Sequence, residues 1–446
     1  MAKAENIMDK LTALCKRRGF VFPSSDIYGG INACWDYGPL GTRLKNNIKA
    51  EWLKAMTRMH ENIVPLDAAI IMHPRVWEAS GHTTEFTDPL IDCKACKTRF
   101  RADDVDFDYA DPNAACPKCG AKGQFTEPRT FNLMFKTFMG PVEDDTAVVF
   151  LRPETAQGIY VNYENVRVSA RMKLPFGIAQ IGKAFRNEIT PGNFIFRTRE
   201  FEQMEMQFFV KPGTEGDWLE HWKEARMQWY LDLGLDPERL RIHEHGPDEL
   251  AHYADAAYDI DYKFGFGKDP WHELEGIHNR GKFDLSRHQE YSGKKLEYFD
   301  EETRERYIPH IVETSAGCDR TLLTMLVNGY REEMIKDEKR VFLGFHPRLA
   351  PIKAAVFPLV KKDGMPETAG KLAGELRPHF DILYDAGGSI GRRYARQDEI
   401  GTPFCITIDG QTSEDQSVTI RHRDTLEQER VALDKVKLRL FELIEG

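Results

Sequence analysis

The alternation of hydrophobic and polar positions in the first part of the chain predicts a helix followed by an antiparallel sheet. Apolar side chains recur at every third or fourth position within residues 41–58, which is typical of an amphipathic helix. A short apolar run at 67–72 is predicted to be a strand that ends at Pro74, since proline cannot donate a ladder hydrogen bond. Three further β-like runs are separated by turn residues, and their spacing predicts antiparallel pairing. They cover residues 147–151, 177–188 and 196–210.

The pattern changes in the last quarter of the chain. Up to that point it predicts a helix at 218–233, a strand at 308–313 and a helix at 321–335. Short strands then alternate with helical stretches, which predicts a small α/β domain with a mostly parallel sheet. We therefore place a domain boundary at 346–351. The predicted strands of the second domain are 354–359, 380–384, 404–408 and 417–420, and its predicted helices are 366–377, 391–400 and 425–443.

The composition indicates a folded protein of more than one domain. The chain has 446 residues, of which 41% are hydrophobic and 30% charged, and these values exclude a disordered chain or a coiled-coil rod. The formal net charge of −10 argues against nucleic-acid binding through bulk positive charge. Any polyanionic partner must therefore be bound by local patches.

The sequence predicts a cytoplasmic protein, or one that enters an organelle by a signal not present here, with no membrane partner. The first twenty residues mix charges into every turn and lack the apolar centre of a secretory signal. No apolar run reaches the roughly 18 residues needed to cross a bilayer.

Four of the eight cysteines form two Cys-x-x-Cys pairs inside a polar insertion at 91–125. The spacing between the pairs lies in the range of four-thiolate zinc sites, so we predict a zinc-ribbon-like insertion with structural Zn²⁺. A closed four-sulfur site leaves no open coordination position, which favours scaffolding over catalysis. An unmetallated loop or a redox pair is the alternative. The predicted ligands are Cys93, Cys96, Cys116 and Cys119.

Charged residues occupy one face of the predicted hairpin at 177–210. Alternate residues of a strand share a face, and a face with guanidinium groups, carboxylates and an aromatic ring is suited to a nucleotide. An ordinary sheet with one solvated face gives the same pattern. The residues predicted to share this face are Ala184, Arg186 and Glu188 on the first strand, and Arg197, Arg199, Phe201, Gln203 and Glu205 on the second.

A second polar segment at 313–320 passes from a strand into a helix. Glu313, Ser315 and Gly317 alternate on one face of the strand, and Asp319 is a candidate N-cap. Arg320 falls in the first helical turn, where a cation opposes the helix dipole, and this position favours an anionic partner. An ordinary surface arginine is the alternative.

These segments together resemble the three signature motifs of class II aminoacyl-tRNA synthetases. The helix at 41–58 with its strand and Pro74 resembles motif 1, the hairpin around Arg186 resembles motif 2, and residues 317–320 resemble motif 3. Finer matches are similar to the homodimeric glycyl-tRNA synthetases and extend over nearly the whole chain. The matching segments are 37–41, 80–82, 100–103, 151–158, 202–205 and 313–317.

The resemblance implies a ligase that activates glycine with ATP to glycyl-adenylate and then transfers glycine to the 3′ end of tRNA(Gly). Arg186, Glu188 and Arg320 would be catalytic. Arg186 would grip the α-phosphate, Arg320 would hold the γ-phosphate, and Phe201 would stack on adenine, with Mg²⁺ accompanying the phosphates. The implied ATP-binding residues are Arg186, Asn187, Glu188, Phe196, Arg197, Phe201, Glu273, Leu274, Gly317 and Arg320.

The resemblance also implies an acidic pocket that surrounds the ammonium group of glycine. Arg280 would pair with the glycine carboxylate. Because glycine offers no side chain to bind, larger amino acids must be excluded by a clash. The implied substrate-binding residues are Arg101, Glu154, Phe201, Gln203, Glu205, Arg280, Glu313, Ser315 and Gly317.

The implied architecture is an α+β catalytic domain with an antiparallel sheet over 1–346 and a C-terminal α/β anticodon-binding-like domain over 350–446. The first domain would carry the cysteine-rich insertion and a second insertion at 214–307, between motifs 2 and 3. Arginine clusters at 392–396 and 421–423 are predicted to contact tRNA. The resemblance further implies a homodimer.

Three alternative functions share these features. The prolyl, threonyl and histidyl enzymes have the same motifs, although segments 151–154 and 313–315 favour glycine. A non-catalytic module, like the accessory subunit of a mitochondrial DNA polymerase, would have no need for Arg186, Glu188 and Arg320. An adenylating enzyme that makes dinucleotide polyphosphates would have no need for the anticodon-like domain.

Overall fold

The computed structural model describes residues 7–103, 105, 107–246, 256–267, 269–335 and 337–446. Residues 1–6 of the predicted first domain, 104 and 106 of the cysteine insertion, and 247–255 and 268 of the insertion at 214–307 lie outside the described residues.

The secondary structure of the described residues combines a large sheet, several small sheets and surrounding helices. The helices are α1 (Ile7–Arg18), α2 (Pro39–Leu53), α3 (Arg75–Ala79), α4 (Ala156–Tyr160), α5 (Tyr163–Ser169), α6 (Glu215–Asp232), α7 (Phe283–Ser292), α8 (Cys318–Gly329), α9 (Met365–Leu376), α10 (Ile390–Ile400), α11 (Thr412–Asp415) and α12 (Val436–Glu445). The strands are β1 (Val21–Pro23), β2 (Trp35–Tyr37), β3 (Ile63–Pro65), β4 (Thr87–Asp92), β5 (Arg99–Arg101), β6 (Arg129–Asn132), β7 (Lys136–Phe138), β8 (Val148–Phe150), β9 (Phe176–Phe185), β10 (Glu200–Val210), β11 (Leu240–Glu244), β12 (Ala256–Lys263), β13 (Trp271–Gly281), β14 (Tyr298–Phe299), β15 (Arg306–Tyr307), β16 (His310–Gly317), β17 (Tyr330–Ile335), β18 (Glu338–Leu343), β19 (Ala354–Pro358), β20 (Ile382–Tyr384), β21 (Phe404–Ile408), β22 (Ser417–His422) and β23 (Gln428–Ala432).

The large sheet has seven strands in the order β11-β12-β13-β16-β10-β9-β3. Its neighbours are antiparallel except for β3, which runs parallel to β9 at the edge. The predicted antiparallel pairing is therefore confirmed for the runs at 177–188 and 196–210, which contain β9 and β10. The third run, at 147–151, contains β8, which pairs with β7 in a separate two-stranded sheet.

Strand β10 shows how the sequence sets the two faces of this sheet. Met204, Met206 and Phe208 pack into the main hydrophobic core. The intervening Gln203 and Glu205 project from the opposite face, as the period of two requires. The apolar face carries the stability of the fold, which leaves the polar face for chemistry.

The strand predicted at 67–72 is wrong, and β3 is the strand that follows the long helix. Apart from an isolated bridge between Ile71 and Leu151, the backbone of 67–72 forms no ladder, and side chains of distant residues hold it. Arg152 Nη1 donates to the carbonyl of Ala68 at 2.8 Å, and the Ala68 N–H donates to Gln180 Oε1 at 2.6 Å. Such long-range bonds leave no periodic signal in the sequence.

The helix predicted at 321–335 is correct up to Gly329 and wrong beyond it. Residues 330–335 form strand β17, which pairs with β18 in a two-stranded hairpin. The Gly344 N–H donates to the Gly329 carbonyl at 2.7 Å, so the hairpin closes where the helix ends.

The C-terminal sheet has the order β20-β19-β21-β22-β23 and encloses its own core. Only the pairings of β19 with β20 and with β21 are parallel, so the predicted mostly parallel sheet is wrong: it is mixed. Residues predicted as a helix at 425–443 divide into strand β23 and helix α12. None of the described helices is both long and apolar enough to cross a bilayer.

Candidate active site

The polar face of the large sheet opens into a cavity of about 390 Å³, within the range of small-molecule sites. Most of the predicted site residues line it. These are Arg101, Glu154, Arg186, Glu188, Phe196, Arg197, Phe201, Gln203, Glu205, Glu273, Arg280, Glu313, Ser315, Gly317 and Arg320.

Two predicted ATP-binding residues do not line this cavity. Leu274 is buried in the main core because it alternates with Glu273 along β13. Asn187 lines an adjacent cleft together with Arg199. Arg199, which we predicted to share the face of Phe201, instead donates from Nη1 to the carbonyl of Asn32 at 2.8 Å.

Two guanidinium groups and two aromatic rings occupy one end of the cavity. Arg186 donates from Nε to the carbonyl of Pro153 at 3.0 Å, and its guanidinium lies 5.5 Å from the ring centre of Phe201. Arg320 donates from Nη1 to the carbonyl of Glu273 at 2.8 Å and lies 4.3 Å above the ring of Phe196. Fixed guanidinium groups beside aromatic faces can hold phosphate oxygens and a purine.

Three carboxylates occupy the other end, and Glu205 lies among them with its oxygens occupied. Its Oε1 accepts from Ser315 Oγ at 2.8 Å and from Gln203 Nε2 at 2.9 Å, and its Oε2 accepts from Thr155 Oγ1 at 2.5 Å. Burial and the nearby charge of Glu313 raise the pKa of Glu205 to about 8. The cavity therefore carries a carboxyl group whose charge is unfavourable until a cation enters.

Glu313 remains ionised because cationic and amide donors surround it. Its Oε2 accepts from Gln207 Nε2 at 2.6 Å, Arg280 Nη1 lies 3.2 Å from Oε1, and His278 Nδ1 lies 3.1 Å from Oε1. Burial opposes ionisation, but Arg280 and His278 outweigh it and hold the pKa of Glu313 at about 2. Arg280 is itself anchored to Asp284 by its Nε at 2.8 Å.

Glu154 completes the acidic end. Its Oε1 accepts from Gln157 Nε2 at 2.9 Å, and its Oε2 lies 3.4 Å from His82 Nε2. Burial opposes ionisation here too, but His82 and Arg280 hold the pKa of Glu154 well below its usual range. The pocket thus holds two ionised carboxylates beside a protonated one, an arrangement suited to a small ammonium group.

Two titratable residues that line the cavity were not among the predicted site residues. His278 lines the cavity between Gly276 and Arg280, and alternation along β13 could have identified it. Asp319 also lines the cavity, and its carboxylate accepts from Lys45 Nζ at 2.7 Å and from the Glu202 N–H at 2.6 Å. The proposed N-cap role of Asp319 is wrong, since Gly317 occupies that position.

The four predicted zinc ligands come together beside the small sheet β5-β4-β6. Their Sγ atoms all lie within 4.8 Å of one another. The two turns have the same bonds: the Lys97 N–H donates to the Cys93 carbonyl, and the Gly120 N–H donates to the Cys116 carbonyl, both at 2.8 Å. Lys97 and Gly120 both have positive φ values, of 60° and 74°. Two matched turns that aim four sulfurs at one point fit a tetrahedral metal ion.

The arginine clusters predicted to contact tRNA are largely structural. Arg393 is buried and donates to the carbonyls of Pro358 and Leu359, at 2.5 and 3.1 Å. Arg423 is buried and donates to the carbonyls of Phe345 and Gly401, both at 2.8 Å. These guanidinium groups join parts of the fold and do not form a free basic surface.

The chain is similar to known proteins over nearly its whole length. Residues 138–328 match the family model described as "tRNA synthetase class II core domain (G, H, P, S and T)", and residues 353–442 match "Anticodon binding domain". A glycine–tRNA ligase of Treponema denticola is 57% identical over 430 residues, covering 95% of this chain and 94% of that protein. A glycine–tRNA ligase of Thermobifida fusca is 53% identical over 463 residues, covering 100% of both chains. One from Cutibacterium acnes is 52% identical over 96% of this chain and 95% of its own.

Proposed function

The chain belongs to the glycine–tRNA ligase family of class II aminoacyl-tRNA synthetases, and on that premise we propose how its residues divide the reaction. The enzyme activates glycine with ATP to glycyl-adenylate and then transfers glycine to the 3′ end of tRNA(Gly). The observation that carries the assignment of residues is the single cavity with arginines and aromatic rings at one end and carboxylates at the other.

ATP is proposed to bind at the arginine end. Arg186 neutralises the α-phosphate as the glycine carboxylate attacks it, and Arg320 holds the γ-phosphate. Phe201 stacks on adenine, and Glu188 binds ATP beside Arg186. Mg²⁺ accompanies the phosphates, and Glu273, next to Arg320, offers a carboxylate for it. Because a carboxylate is already a nucleophile, positioning and charge neutralisation carry this step.

Glycine is proposed to bind at the acidic end. Its ammonium group lies among Glu154, Glu205, Glu313 and Ser315, and Arg280 reaches its carboxylate while staying anchored to Asp284. The tight bonding of Glu205 supports the exclusion of larger amino acids, because a carboxyl group fixed by three hydrogen bonds cannot move aside for a side chain.

Amino-acid-dependent exchange between pyrophosphate and ATP tests this assignment without tRNA. Glycine should support exchange, whereas alanine, serine and proline should support less than about 1% of it. Arg186→Ala should lower kcat for exchange at least about 100-fold, since it removes charge stabilisation of the transition state. The matched control, Arg392→Ala at an exposed position on α10, should leave exchange unchanged. Equal exchange with proline or alanine would contradict the proposal.

We propose that Cys93, Cys96, Cys116 and Cys119 bind structural Zn²⁺ and make residues 91–125 a zinc-ribbon-like insertion. The matched turns and the four-sulfur donor set support this. The ion would fix the sheet that carries Arg101 into the cavity, and it would take no part in the chemistry.

We propose that residues 1–346 form the catalytic domain, with the insertion at 214–307, and that 350–446 form the domain that binds the anticodon. The match of 353–442 to an anticodon-binding family supports the second assignment.

We propose a homodimer in the cytoplasm. The unbridged state of all eight cysteines, each within the described residues, fits a reducing compartment. The exposed apolar side chains of Ile27, Tyr28 and Ile31 make the loop after β1 a candidate contact between subunits. Light scattering on the purified protein measures the oligomeric state.

A further inference from the structure

His278 is a half-buried imidazole on the wall of the cavity for which the roles proposed above give no function. It lies on β13 directly opposite Glu313 of β16 in the sheet register. Its ring lines the cavity, and its Nδ1 lies 3.1 Å from Glu313 Oε1. A hydrogen bond at this distance to a carboxylate oxygen requires the imidazole to donate.

Asp259 and His245 hold the ring from behind. His278 Nε2 lies 3.9 Å from Asp259 Oδ1, and Asp259 Oδ2 lies 2.8 Å from His245 Nε2. Asp259 does not line the cavity, so it can act on glycine only through His278. The three groups form a chain that runs from the protein exterior to the carboxylate of Glu313.

Gly276 makes room for this orientation of the ring. A Cβ at residue 276 would lie 2.8 Å from both Cε1 and Nε2 of His278 and 3.5 Å from Asp259 Oδ1. The imidazole therefore folds back across the bare Cα of Gly276 to reach Asp259. A side chain at this position would displace the ring from one of its two carboxylates.

The charges that face His278 explain why a cation is stable there. Asp259 faces it from β12, Glu313 faces it from β16, and Arg280 is the cation next to it on its own strand. Burial disfavours the charged ring, but the nearby carboxylates of Asp259 and Glu313 outweigh burial and raise the pKa of His278 to about 9. The imidazolium offsets part of the negative charge that the ionised Glu154 and Glu313 bring to the pocket.

We propose that His278 is a positioning residue for glycine: fixed between Asp259 and Glu313, its imidazolium orients the Glu313 carboxylate toward the substrate ammonium and offsets the repulsion among the pocket carboxylates. Glu313 accepts hydrogen bonds from Gln207 and His278 and two from Arg280 Nη1, at 3.2 and 3.3 Å, and these bonds fix the orientation of its carboxylate, which lines the cavity. This inference rests on the proposed function and adds to it the residue that sets glycine affinity.

The test compares His278→Gln with the wild type in glycine-dependent pyrophosphate exchange. Glutamine keeps an N–H donor but loses the positive charge. At pH 7.0 we expect KM for glycine to rise about tenfold while KM for ATP changes less than twofold. Because the wild-type imidazolium loses its proton near pH 9, the ratio of the two glycine KM values should fall below about threefold at pH 9.5. The ionisation of glycine itself cancels in this ratio.

Asp259→Asn gives a second arm that leaves the imidazole in place. It should raise KM for glycine about threefold at pH 7.0, because the ring loses its rear anchor. The control is His221→Gln, since His221 is exposed on α6 and does not line the cavity, and it should leave both KM values unchanged.

Each other outcome counts against the inference. An unchanged KM for glycine in either variant, a ratio that is the same at both pH values, or equal increases in KM for ATP and glycine would overturn it, the last by showing a general structural role. A wild-type enzyme without glycine-dependent exchange would overturn the proposed function itself, and the role of His278 with it.

Discussion

At the scale of single residues, neighbours along β10 carry carboxylates with opposite electrostatic environments. Glu205 lies on the cavity face, where burial and the charge of Glu313 raise its pKa. Glu202 lies near Lys45 and Lys49, at 2.9 and 3.2 Å, and although burial acts against it these lysines lower its pKa. Ionisation of Glu202 therefore stabilises the folded state, whereas ionisation of Glu205 destabilises it.

We predict that Glu205→Gln stabilises the fold and abolishes glycine activation. The pKa of Glu205 rises from an ordinary value of 4.5 to about 8, so above pH 4.5 the folded state loses stability relative to the unfolded chain. At pH 8.5 the variant should melt about 2 °C higher, on the order of 1 kcal/mol, and the gain should vanish near pH 4. Calorimetry across this range measures the effect.

Glu202→Gln is the matched control for that experiment. A carboxyl group whose pKa is lowered by folding stabilises the folded state at pH values above its ordinary pKa. This stabilisation is lost as the pH falls and the group becomes protonated. The variant should therefore melt below the wild type at pH 7, with the deficit shrinking toward pH 3. A shift of the same sign in both variants would contradict the account of the site's charges.

Arg320 offers a prediction about geometry at constant charge. Arg320→Lys keeps the cation but loses the flat contact with Phe196 and the bond to the Glu273 carbonyl. We expect KM for ATP to rise about tenfold while KM for glycine stays within twofold in pyrophosphate exchange. A rise confined to glycine would show that this arginine does not serve ATP.

At the scale of the elements, the sequence predicted the site residues well wherever polar and apolar residues alternate along a strand. The period of two placed Arg186, Phe201 and Glu205 on the cavity face, because one face of the strand must fill the core. It failed at 67–72, where Arg152 and Gln180 replace a ladder, and at 330–335, where a short polar hairpin follows a helix. Such contacts depend on residues far away in the sequence.

The arginines of the C-terminal unit show the same limit. Their spacing on α10 and at the end of β22 is the spacing of a basic surface, but their burial depends on what packs against them. Arg393 and Arg423 bind backbone carbonyls that only the folded chain brings near. Composition alone cannot distinguish arginines on an exposed basic surface from arginines buried against backbone carbonyls.

The cysteine turns give a prediction at this scale. Purified protein should contain about one zinc per chain, and Cys116→Ser should lower this content and loosen the sheet β5-β4-β6. Because Arg101 on β5 lines the cavity, KM for glycine should rise severalfold, while pyrophosphate exchange persists. Metal analysis and limited proteolysis measure both effects. Cys34→Ser, outside the cluster, should retain full metal content, and a metal-free wild type would contradict the proposal.

At the scale of the whole molecule, ion pairs join the hairpin β17–β18 to the C-terminal unit. Arg340 of the hairpin β17–β18 donates to Asp398 of α10 at 2.8 Å and to the Arg423 carbonyl at 2.6 Å. Arg421 of β22 donates to the same aspartate at 3.0 Å. Asp398 therefore fixes the C-terminal unit against the rest of the chain.

We predict that Asp398→Asn separates the two steps of the reaction. It leaves two arginines near a neutral amide, which weakens the junction while the cavity stays intact. Charging of tRNA should fall about tenfold in kcat/KM, and pyrophosphate exchange without tRNA should stay within twofold of wild type. Asp409→Asn, at an ion pair with Arg430 away from the junction, should change neither rate. Equal losses in both rates would show that the junction supports the cavity directly.

The most direct test of the account is a crystal structure of the enzyme with a non-hydrolysable analogue of glycyl-adenylate. We predict that the amino group lies within hydrogen-bond distance of Glu313 and Ser315, that Arg186 contacts the phosphate mimic, and that adenine stacks on Phe201. An amino group that contacts none of the pocket carboxylates, or an analogue bound outside this cavity, would contradict the account.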